Sequence, residues 1–175
     1  MRLAILIPVV MGFYLSNFAH AQQWIEYEDR VWGFSINFPH EPAIERIDYT
    51  TFFEETVPAR LYSAESGVGR YTLTAVYFSQ APTDAHTAIS HASEAIRAKG
   101  EVTYYAFDSL DGIPGQMISV TEPDGRLIQA GVYFVDQRLY IAEGSVAAGN
   151  PAPSQFSQSI AILDPEGDPI VLDPD

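Results

Sequence analysis

The stretch Tyr71-Thr72-Leu73-Thr74-Ala75-Val76-Tyr77-Phe78 puts Tyr71, Leu73, Ala75 and Tyr77 on one side of an extended chain and Thr72, Thr74, Val76 and Phe78 on the other. Aromatic and β-branched residues at period two favour a packed strand. A few residues later the period changes. Ala85, Ala88, Ile89, Ala92 and Ile96 recur at helical spacing. Pro82 and Thr83 mark the helix start, with Thr83 as N-cap and Asp84 in the first turn, where an anion suits the dipole. Arg97 and Lys99 close the last turn, and Gly100 suits the residue just past the end. A strand leading into an alanine-faced helix predicts a sheet with a helix packed closely on it.

Upstream, Trp24 to Tyr27 reads as a short strand. Trp32 to Phe38 alternates Trp32, Phe34, Ile36 and Phe38 with Gly33, Ser35 and Asn37, the pattern of a half-buried strand. Pro39 and Pro42 end it. Ala43 to Tyr49 is a weaker strand with Ile44 and Ile47 among charges, and Ala59 to Tyr62 follows Pro58. Ser66-Gly67-Val68-Gly69 is a turn. Downstream, strands are expected at Glu101–Phe107, Gly115–Thr121, Leu127–Val135 and Arg138–Ser145. Asp111-Gly112, Pro123-Asp124-Gly125 and Asp136-Gln137 are the turn signals between them, the last closing a hairpin. After a Gly/Ala/Pro/Asn-rich loop, Ser154 is the candidate cap of a closing helix. Phe156, Ile160 and Leu163 would be its buried stripe at i, i+4 and i+7. This order predicts one α+β domain over residues 22–163: an antiparallel or mixed sheet, one long mid-chain helix and one C-terminal helix, in layers. Residues 164–175 read as an acidic tail rich in Pro and Asp, with Ile170–Leu172 as an edge strand.

The segment Met1–Ala21 reads as a cleavable signal peptide. Arg2 supplies the positive start, and Leu3–Leu15 is an apolar run too short for a bilayer span. Ser16 and Asn17 break it, and Ala19-His20-Ala21 fits the small-x-small rule for cleavage, leaving Gln22 first. The chain of 175 residues is 47% hydrophobic and 18% charged, a globular composition, with a formal net charge of -14. That acidity disfavours nucleic acid and anionic lipid as partners and favours cationic ones.

The search for chemistry starts with the absence of cysteine, which excludes disulfides, thiol catalysis and thiolate metal sites. Three histidines survive cleavage: His40 in a Pro-flanked loop, and His86 and His91 on the predicted helix. Five residues apart on a helix is about 140° round its axis, so these two do not form an i, i+4 metal face. Gly-x-Ser-x-Gly, Ser-x-x-Lys and phosphate-loop patterns do not occur. Glu54 and Glu55 are adjacent, so on a strand they face opposite ways. Asp164, Glu166 and Asp168 around Gly167 faintly resemble a Ca²⁺ loop but lack its twelve-residue frame. Trp24, Tyr27 and Trp32 near the start, and Tyr104, Tyr105, Tyr133 and Tyr140 on strands, are candidates either for core packing or for a ligand groove.

The phrase Gly33-Phe34-Ser35-Ile36-Asn37-Phe38-Pro39-His40-Glu41-Pro42 resembles the opening of uncharacterised exported bacterial proteins and of the PsbP-like fold, named for an extrinsic subunit of photosystem II. The order of strands, mid-chain helix, strands and closing helix is similar to that fold, as is Arg138-Leu139-Tyr140 followed by a Gly/Pro loop and Phe156. The resemblance implies an α/β/α sandwich and a non-enzymatic binding or assembly role. It supplies no catalytic motif, no cofactor and no metal ligand. The expected protein is thus a periplasmic or secreted module for an unknown protein or small ligand. The competing expectations are a hydrolase of dispersed carboxylates and histidines, and a Ca²⁺-binding protein using the acidic tail.

Overall fold

The computed structural model describes residues 24–79 and 81–172. Within them the chain forms β1 (Ile25–Asp29), β2 (Phe34–Phe38), β3 (Ala43–Thr50), β4 (Thr56–Ser66) and β5 (Gly69–Tyr77). Then come α1 (Ala85–Arg97), β6 (Glu101–Leu110), β7 (Ile113–Thr121), β8 (Leu127–Val135), β9 (Arg138–Val146), α2 (Ser154–Ser157) and β10 (Ala161–Ile162). One sheet has the order β3-β4-β5-β9-β8-β7-β6, and a smaller one has the order β1-β2-β10. All pairs are antiparallel.

Local chemistry explains the joints. Asp136 and Gln137 both adopt positive φ, 48° and 59°, giving the tight two-residue turn that suits strand twist. The Gln137 side chain stays fixed because its Oε1 accepts from the Thr83 N–H and its Nε2 donates to the Thr83 carbonyl, each at 3.0 Å. Thr83 is thereby anchored one residue before the helix. The N-cap itself is Asp84, not the expected Thr83: its carboxylate accepts from the Thr87 N–H at 2.9 Å and the Thr87 hydroxyl at 2.8 Å. Pro58 and Pro114 lie inside strands at positions where only one neighbour is paired. The β4–β5 register begins at Ala59 and the β7–β8 register at Gly115, so neither ring removes a ladder bond on both sides.

The larger sheet has a core on each face. On one, Ala88, Ile89, Ala92 and Ile96 of α1 pack on Val76, Phe78, Ile118, Ile128, Val132 and Leu139. Alanines let the helix approach closely, and Ser93 donates to Gln116 Oε1 beneath it. On the other face, Phe34, Ile36 and Phe38 of β2, with Phe156 and Ile162, cover Tyr62, Leu73, Tyr140 and Ala142. Tyr140 locks the layers, its hydroxyl donating to the Trp32 carbonyl at 2.8 Å.

The α+β sandwich with a long helix and a second helical layer is therefore corrected, and the PsbP-like α/β/α arrangement with it: the fold is β-rich. Among the described residues there are ten strands and two helices, α1 of 13 residues and α2 of 4. The second face is covered by a small sheet rather than by a helix. The stripe Phe156, Ile160 and Leu163 misled because three apolar residues at helical spacing also fit one turn followed by a strand. Phe156 sits in the single turn of α2, while Ala161 and Ile162 pair with Ser35 and Phe34, supplying β2 with its second neighbour. Ile170 to Leu172 make no strand; Ile170 N–H donates to the Ile162 carbonyl and Leu172 N–H to that of Asp111. The Met1–Ala21 targeting segment lies outside the described residues.

Candidate functional site at the open end of the sheet

The small sheet and α2 cover the second face only as far as β8 and β9, against which α2 packs. Beyond them the face of β6, β7 and β8 is open. It forms a cleft of about 490 Å³ lined by Tyr104, Asp108, Met117, Ser119, Gln129, Tyr133 and Gln158, with Phe107 at its edge. Pairing of Tyr104 with Ser119 and of Asp108 with Gly115 sets these side chains on one face, while Tyr105 and Phe107 point to the α1 side.

The floor is built around Tyr133. Its hydroxyl donates to Asp108 Oδ2 at 2.6 Å. The ring lies down over two glycines: a Cβ on Gly131 would stand 2.8 Å from the Tyr133 ring, and one on Gly115 would meet both that ring and the Val132 carbonyl. Glycine inside a strand commonly marks such a close approach. Burial first, and the Asp108 carboxylate second, push the Tyr133 phenol well above its ordinary range. A phenol held protonated in this way keeps its proton, directed at Asp108, and is no general base near neutrality. Gln129 Nε2 reaches the Met117 sulfur at 3.8 Å, leaving its carbonyl oxygen as an acceptor in the cleft. The arrangement is rich in acceptors and rimmed by an aromatic ring, so it suits a cationic or N–H-bearing group rather than an anion.

The histidines do not converge. His40 Nδ1 and Nε2 each lie 2.9 Å from a carbonyl, those of Glu41 and Glu65. Both partners only accept, so the two bonds together favour the protonated ring, and they, led by that to Glu41, raise its pKa. His91 Nε2 bonds the Thr50 carbonyl at 3.0 Å and packs edge-on to Tyr49 and Phe52. His86 lies at the other side of α1, in a notch with Ile89, Phe107 and Pro114. Among the described residues no group of three His, Asp or Glu side chains is placed to hold a metal ion.

In the acidic tail, Asp164 is spent on the tail's own backbone. Asp164 Oδ1 accepts from the Glu166 N–H at 3.0 Å and the Asp168 N–H at 2.9 Å. Glu54 sits in the β3–β4 turn at φ 60°. A second polar cluster, Asp29 with Tyr62 and Arg60, is also closed: Asp29 Oδ2 accepts from Tyr62 at 2.7 Å and Arg60 at 3.2 Å, while Oδ1 caps the Val31 and Trp32 amides. Arg60 in turn stacks 5.2 Å from the Trp32 ring centre.

Of the aromatic candidates, Tyr104 and Tyr133 meet at the cleft. Tyr105 faces the other way beneath Arg97, 4.9 Å from its ring centre, and Tyr140 is core. Trp24 packs against Tyr71 at 4.7 Å, and Tyr27 against Tyr62 at 5.7 Å. Sequence reading passed over Asp108, Gln129 and Met117; the glycines at 115 and 131 within strand patterns were the available signal. Compared with known proteins, the chain matches no family model and no curated sequence.

Proposed function

We propose that the chain is an exported, non-enzymatic binding or assembly module that holds its ligand or protein partner in the open cleft of β6, β7 and β8. The observation that carries this reading is the seat itself: two strand glycines vacate space so that Tyr133 lies flat, bonded to Asp108, in a cleft with an aromatic rim. Such a seat offers recognition groups fixed in advance, and the phenol at its floor, Tyr133, is held against ionisation. The hydrolase alternative draws no support from the histidines, which stand at three separate places on the fold.

Export is supported by Arg2, the apolar Leu3–Leu15 run and Ala19-His20-Ala21, and places the protein in the periplasm or the medium. No helix among the described residues is long and apolar enough to cross a membrane. N-terminal sequencing of the protein recovered from its host should begin at Gln22; an intact Met1 would reject cleavage. Binding is tested by amide chemical shifts during titration with peptides and small metabolites. Shifts of Tyr104, Met117, Gln129 and Tyr133 support the reading. Turnover of ester, glycoside or peptide substrates that vanishes in Asp108→Asn would overturn it.

A further inference from the structure

We propose that β6 accepts an additional strand: an extended segment of a partner protein, basic where it faces the cleft and apolar on its other side. β6 is a ten-residue strand at the end of the seven-stranded sheet, so among the described residues alternate backbone N–H and C=O groups along its outer side face no other strand. Natural sheets usually blunt such an edge with proline, lysine or brevity. β6 does the reverse. Phe107 is 84% exposed and Tyr104 54%, with Tyr105 and Val102 also exposed. Among the described residues the defences of β6 are two: a register shift between Val102 and Tyr104, and the charges of Glu101 and Asp108; the stretch from Tyr104 to Leu110 stays regular. Main-chain pairing with such an edge supplies affinity, and alternate side chains supply selectivity.

Charge selects the occupant. β6 carries Glu101 and Asp108 and no Lys or Arg. Asp108 gives one oxygen to Tyr133, and among the described residues its Oδ1 accepts no hydrogen bond. A strand laid beside β6 places a side chain next to Asp108 on the cleft face, where a Lys or Arg meets the spare oxygen. On the other face its neighbours are Tyr105 and Phe107, which suit an apolar side chain. A second copy of this chain is the poorer occupant. The charged residues of two copies of β6 are all acidic, and each chain carries a net charge of -14.

Strand addition presupposes the binding role proposed above, and the two fail separately. The probe is a short synthetic peptide alternating lysine with valine, titrated into the purified protein, with a glutamate–valine peptide and an alternately N-methylated lysine–valine peptide as controls. The expected result is binding of the first peptide only, weakening with salt, with hydrogen-exchange protection appearing along β6 from Tyr104 to Leu110. Asp108→Asn should weaken it about tenfold, the value of one charge-assisted hydrogen bond. Equal binding of the acidic or N-methylated peptide, protection away from β6, or a β6-mediated dimer that excludes the peptide would overturn strand addition. If the lysine–valine peptide fails while another ligand still shifts Tyr104, Gln129 and Tyr133, strand addition falls and the binding module stands.

Discussion

The seven-stranded sheet ends in two edges that are treated in opposite ways. At one end, β3 carries Glu45, Arg46 and Asp48 along its length. It is also pinned at both ends. Before it, His40 reaches the Glu65 carbonyl near the end of β4; at its last residue, His91 holds the Thr50 carbonyl, and the half-buried Tyr49 phenol is pushed up to about 12 by desolvation. At the other end, β6 exposes Tyr104, Tyr105 and Phe107 and has no basic residue of its own. Charge along an edge is the ordinary defence against unwanted pairing. β3 has three charges in eight residues, whereas β6 has two in ten with exposed aromatics between them, which marks β6 as the edge better suited to being covered.

The contrast can be broken most forcefully at its floor. Gly115→Ala places a Cβ against the Tyr133 ring and the Val132 carbonyl. Overpacking of this kind costs about 1–3 kcal/mol, read as a lower denaturation midpoint, and should displace Tyr133 from Asp108. An unchanged midpoint would show that the seat is not tightly built. Tyr133→Phe is gentler, removing one hydrogen bond worth about 1 kcal/mol while leaving the ring in place. Its double-mutant cycle with Asp108→Asn should show coupling, and strict additivity would argue against the pair.

Exchanging the character of the edges sharpens the comparison further. Tyr105→Lys with Phe107→Lys gives β6 the defence that β3 has. Stability should move by no more than about 0.5 kcal/mol per site, since both side chains are exposed. Binding of the lysine–valine peptide along β6 should be lost. If it persists, β6 is not the docking edge.

The smallest effect belongs to the clip on β3. Because the folded His40 pKa is raised, its contribution to stability is complete below the unfolded value of about 6.5 and is lost as pH rises through the folded value. The pH profile of the melting temperature should therefore decline slightly as pH rises above about 6.5, and His40→Ala should flatten that decline. Titration of His40 by NMR at its ordinary value would dismiss the clip.

The strands, the mid-chain helix and the tight turns were legible because each is local. Tyr71–Phe78 alternates at period two, Ala85–Ile96 at helical period, and Asp136-Gln137 sits between two runs of apolar residues. The C-terminal segment was not, because Phe156, Ile160 and Leu163 satisfy a helix and a turn-plus-strand equally well. What separates them is β2, more than a hundred residues earlier in the chain, which needs a second neighbour along its edge.

The site divides in the same manner. Tyr104 and Tyr133 could be singled out as aromatics on strands, while the glycines at 115 and 131 were passed over, although glycine inside a strand pattern marks a close approach. The amino-acid sequence by itself thus determined most elements up to Val146, their faces and the acidity of the surface, since these follow from propensity, period and charge. Only the tertiary structure decided that β6 is an edge and β5 is interior, that a second sheet rather than a helix covers the far face, and that this cover stops short of Asp108. Strand order and layer coverage depend on contacts between residues distant in the chain, and no local pattern encodes which of several similar strands is left without a neighbour.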